Sequence, residues 1–147
     1  MKDVHIALGV VAIALNAAAG LWGAWCWYRS QPSRWFWRLL RSAQLSILLE
    51  ALLGGILLAI GKKTPTLHIV YGLLPLAVSF IGEQLRISAA QMVLDARGYE
   101  DAKSVGKLPA DEQREIVVTI VRREIGVMAL AALVIVVLLA RAAATAG

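Results

Sequence analysis

Apolar residues fall into four long blocks separated by short charged stretches. The blocks cover 4–28, 35–60, 67–94 and 116–140. Each approaches or passes the roughly 20 residues that a helix needs to cross a bilayer. Inside hydrocarbon, a helix satisfies every backbone N–H and C=O within its own segment. The pattern therefore predicts an all-α protein, a four-helix transmembrane bundle, with residues 1–147 as one membrane domain.

Within the blocks, small and polar residues recur at steps of three and four, which places them on one helix face. In the first span these are His5, Gly9, Ala12, Asn16, Gly20 and Gly23. In the second they are Ala43, Ser46, Glu50, Gly54, Leu57 and Gly61. In the third they are His68, Gly72, Pro75, Ser79, Gly82 and Arg86, with Tyr71 and Glu83 on the shoulders. Small residues let helices approach closely in lipid. The third span carries the most polar groups, so the others are expected to pack around it, and Pro75 should kink it. The six-residue link GKKTPT should make spans two and three antiparallel neighbours. The last span has no polar side chain from Ile125 to Ala140 and is expected to be the most lipid-exposed. Residues 87–122 read as a helical hairpin leaving the bilayer, with Gly98 as a C-cap and Pro109 in the first turn of the last helix.

Composition agrees. The chain is 59% hydrophobic, against about 45–50% for a soluble domain. Its net charge of +5 reports topology rather than nucleic-acid binding, because the basic residues cluster by loop. Arg29, Arg34, Arg38, Arg41, Arg86, Arg97, Lys103, Lys107, Arg114, Arg122 and Arg123 gather around two links, against Lys2, Lys62, Lys63 and Arg141 at the opposite ends. The positive-inside rule makes this a multi-pass cell-membrane protein with the loops near 29–34 and 97–114 cytoplasmic and both termini outside. All five tryptophans flank the 29–34 link, as an aromatic belt does at headgroup level. The first block reads as a span rather than a cleaved signal peptide, because its apolar run continues past Ala17–Ala19 to Tyr28. The single cysteine, Cys26, excludes an internal disulfide and a CxxC pair.

The candidate chemistry is confined to a few side chains. Glu50 lies roughly 15 Å of helix from Ile60, a depth at which a carboxylate costs about 3 kcal/mol or more and needs pairing, hydration or a proton. Counted from the helix ends, Asn16 and Ser79 lie at a similar depth, so Glu50, Asn16 and Ser79 form an intramembrane polar set suited to a proton or cation. The structural alternative is a neutral Glu50 hydrogen-bonded to Asn16 or Ser79. Glu83 and Arg86, three apart, can pair on one face. The only two histidines, His5 and His68, open their helices on the same side of the membrane and could ligate haem or a metal, with Tyr71 one turn away.

No nucleophile–base pair, phosphate loop, HExxH or paired-Asp site is present, and no enzyme activity is expected. The foremost reading is a membrane subunit or interaction protein whose partners are the lipid bilayer and a second copy or another membrane protein, without nucleic acid. The alternatives are a proton- or cation-coupled transporter subunit using Glu50, and a haem or metal binder using His5 and His68. The layout resembles the small drug-exporter subunits, which also use a membrane-embedded Glu. Here that Glu is in the second span rather than the first and the chain is longer, so no residue role is carried over.

Overall fold

The computed structural model describes residues 1–146. The first span is α1, Lys2–Arg29. It stops where Ser30 turns into the left-handed region at φ 55°, which lets the Ser30 and Gln31 amides reach back to the Cys26 and Trp27 carbonyls. Ser33 then caps α2, Arg34–Ala59, by accepting the Phe36 amide, and its hydroxyl also accepts from the Trp22 indole at 3.0 Å. Gly61, at φ 84°, ends α2 with the Lys62 amide returned to the Leu57 carbonyl. Pro65 precedes α3, Thr66–Ala96. A four-residue turn, α4 (Ala102–Val105), separates α3 from α5, Ala110–Ala144.

Four of these helices (α1, α2, α3 and α5) are long and apolar enough to cross a membrane. Their outward faces are apolar as well: Leu21, Trp35, Phe80 and Leu130 are all about two-thirds exposed. In water such faces would be costly; in hydrocarbon they are the expected solvent contact.

The packing order differs from the sequence expectation. α1 lies between α2 and α5, and α3 packs along α5. α2 and α3, though joined by the short link, touch at few points. The organising pair is α1 and α5, not α3. Gly20 abuts Leu133 and Gly23 abuts Phe36 and Ala129, so closely that a Cβ at either position would collide. The small-residue stripe of α1 is thus a seam within the chain. One core joins Ala19, Cys26, Phe36, Leu40, Ile125, Met128, Ala129 and Ala132. A second joins Ala12, Ile47, Ile135 and Leu139.

α5 was expected to be the most lipid-exposed span and is instead the most buried of the four. The absence of polar groups does not separate lipid from protein surroundings, because both are apolar. What separates them is side-chain size: Ala129, Ala131, Ala132 and Ala142 are small enough for α1 and α3 to come close.

Beyond the spans, the end of α3, α4 and the start of α5 form their own small core from Val93, Leu94, Val105 and Ile116.

Candidate functional site

The structure brings three titratable side chains from three helices into one layer. His5 sits in the first turn of α1, its amide bonded to the Met1 carbonyl. His68 sits in the first turn of α3, its amide bonded to the Pro65 carbonyl. Glu50 enters from α2. Glu50 Oε1 is 3.2 Å from His5 Nδ1, at an angle too bent for a hydrogen bond. The His5 and His68 rings meet edge to face, with centres 6.1 Å apart. His68 Nδ1 is 2.8 Å from the carbonyl oxygen of Ala142, near the end of antiparallel α5.

Two glycines make room for this layer. A Cβ on Gly9 would lie 2.9 Å from Glu50 Oε1, and one on Gly54 would lie 3.4 Å from His5 Cε1. Glycine at position 9 therefore lets the carboxylate reach across to α1.

Glu50 does not join Asn16 and Ser79. It lies about 13 Å before the end of α2, yet it meets a residue only about 5 Å from the start of α1. α2 overruns α1 on this side, so depth counted along α2 is not depth in the bundle. Asn16 and Ser79 each lie about 16 Å further along their helices than His5 and His68. Asn16 donates to the Ala12 carbonyl at 2.8 Å, while its Oδ1 has no partner. Ser79 Oγ and Glu50 Oε2 are likewise buried without one.

Glu83 belongs to a separate cluster nearer the other end of the bundle. Its carboxylate is held by Arg41, by Gln44 at 2.9 Å and by Arg86 at 3.0 Å. Arg86 also reaches Glu124 at 3.7 Å and lies over the Trp37 ring. The Glu83–Arg86 spacing was legible in the sequence. Arg41, Gln44 and Glu124 were not, because they arrive from other helices. Tyr71 lies beneath the Arg141 guanidinium, 5.6 Å from ring centre to carbon, at the same end of the bundle as His68.

Nδ1 of His68 is oriented by the Ala142 carbonyl, whereas Nδ1 of His5 is buried without a hydrogen-bond partner although Glu50 Oε1 lies 3.2 Å away. Among the described residues, no three His, Cys, Asp or Glu side chains are placed to hold a metal ion. Two imidazoles alone suit a centre that brings its remaining ligands with it.

A helical chain with four membrane-length spans and a two-histidine layer at one end is as far as fold and site define the class. No protein-family model, curated protein or solved structure matches the chain.

Proposed function

We propose that this chain is a multi-pass membrane protein that binds one haem through His5 and His68 and serves in electron transfer. The observation that carries the reading is the pair of imidazoles brought together from α1 and α3, with ring centres 6.1 Å apart and His68 Nδ1 turned to the Ala142 carbonyl. His5 and His68 would hold the haem iron, which would supply one-electron chemistry at this end of the bundle. Haem supplies its own four nitrogens, so the two-histidine count favours it over a bare zinc or copper ion, which takes three or four protein ligands. α2 and α3, which carry Glu50 and His68, make few contacts with each other. Gly72, about one turn from His68, has nothing within 4 Å of where a Cβ would be. A flat macrocycle needs such side-chain-free surface. By the positive-inside rule this layer faces the outer side of the membrane.

The test is an absorption spectrum of the detergent-purified protein, expressed with haem supplied, oxidised and then reduced. A Soret band that shifts on reduction and is lost in both His5→Ala and His68→Ala is the expected result. A colourless protein that also fails to take up added haemin would overturn the reading.

A second reading, proton or cation coupling through Glu50, draws on the buried unpartnered oxygens of Glu50, Asn16 and Ser79. It predicts a pH-dependent flux in liposomes that Glu50→Gln abolishes. Flux unaffected by that change removes Glu50 from the role.

A further inference from the structure

At the end of the bundle away from the histidines, a surface groove of about 470 Å³ runs between the end of α1 and the first half of α5. Trp27, Ser30, Val118, Thr119, Arg122 and Arg123 line it. We infer that this groove binds the phosphate of an anionic phospholipid headgroup.

Three observations carry the assignment. The first is charge without a partner. Among the described residues, neither Arg122 nor Arg123 takes part in an ion pair, while the neighbouring acids Glu115 and Glu124 are engaged by Arg97 and Arg86. Two adjacent guanidiniums facing one groove and lacking carboxylates fit an anion, and arginine matches phosphate geometry. The second is construction. The Trp27 indole lies against α5 at Gly126, where a Cβ would be 2.9 Å from Nε1. Only glycine admits the ring there, so the aromatic wall of the groove is set by packing rather than by chance exposure. Two of the last carbonyls of α1, those of Cys26 and Trp27, accept from the Ser30 and Gln31 amides, which blunts the negative helix end that an anion would otherwise meet. The third is level. The groove opens beside the tryptophan-rich link, where rings settle at headgroup height. Basic pockets between membrane helices take anionic headgroups in this position. A lipid anchored by its chains in the bilayer reaches the site from the side, whereas free phosphate would have no such anchoring.

The test is native mass spectrometry and nanodisc binding with phosphatidylglycerol, phosphatidylcholine and inorganic phosphate as probes. Wild-type protein should retain phosphatidylglycerol over phosphatidylcholine. Arg122→Gln with Arg123→Gln should weaken phosphatidylglycerol binding roughly 30-fold, which is about 1 kcal/mol per arginine. Arg34→Gln with Arg38→Gln, in the same belt, should change it little. Thr119→Trp keeps both charges and fills the groove, so it should also lose the lipid, and it serves if the double glutamine variant does not fold. Undiminished phosphatidylglycerol binding in either groove variant overturns the proposal. So does an equal loss in the Arg34/Arg38 variant, which would mean a diffuse belt attraction, or full competition by inorganic phosphate, which would mean a free-anion site.

Discussion

Glu50 on α2 and His5 on α1 meet at 3.2 Å, carboxylate oxygen to Nδ1, although Glu50 lies in the second half of its helix and His5 in the first turn of its own. On the haem reading, Glu50 would act as a positioning residue for His5. Replacing it with leucine, which suits hydrocarbon, should weaken haem binding by about 10–100-fold, the usual cost of losing an orienting partner. Haemin titration of apo-protein with unchanged helicity measures this. An affinity equal to wild type would show that His5 needs no help from Glu50.

Glycines at two positions should respond in opposite ways. Gly23→Leu drives a side chain into Phe36 and Ala129, and overpacking of this kind costs about 1–3 kcal/mol or more. Gly72→Leu meets nothing nearby and gains up to about 1 kcal/mol of helix propensity. Thermal unfolding in detergent should therefore fall for the first and hold or rise for the second. On the haem reading, Gly72→Leu should still block pigment uptake, because it fills the side-chain-free surface about one turn from His68.

Glu83 ties α2 to α3, which otherwise hardly touch. Glu83→Ala removes the acceptor shared by Arg41, Gln44 and Arg86. Hydrogen bonds to charged groups are worth about 1.5–3 kcal/mol, and the site is only partly screened, so a loss of about 2 kcal/mol is expected. Arg41→Ala should cost under about 1 kcal/mol, since Arg41 is half exposed. Equal losses would mean that the two residues act only as a pair. No loss from Glu83→Ala would mean that the cluster does not brace the bundle.

Asp101 caps the α4 turn outside the spans. The Ser104 amide, followed by the Ser104 hydroxyl, donates to its carboxylate and holds its pKa below the ordinary aspartate value. A depressed folded pKa means that the cap is fully present above the unfolded pKa and is lost as pH falls through the folded one. Exchange protection of the Ser104 amide should therefore persist at neutral pH and fade in acid. Asp101→Asn keeps an oxygen acceptor and should remove that pH dependence. Protection that ignores pH in the wild type would show that the carboxylate charge plays no part.

The sequence by itself determined the elements. Runs of about 20 apolar residues admit only helices in hydrocarbon, and the links at 29–34 and 61–66 fall where the structure ends one helix and begins the next. Steps of three and four found the α1 seam, with Ala12, Asn16, Gly20 and Gly23 all buried. They also placed His5 and His68 at corresponding positions, because both open their helices. What only the tertiary structure decided was which helix touches which, and at what height. An apolar face is equally content against lipid or protein, so nothing in residues 125–140 announced that α5 would be the most buried span. Depth counted along one helix ignores how far that helix overruns its neighbours. Glu50 therefore met His5 instead of Asn16, and Glu83 found Arg41 and Gln44 across a gap no local spacing could reveal. Helix offsets are set by the sum of small packing contacts between segments distant in sequence, and that sum exists only once the chain is folded.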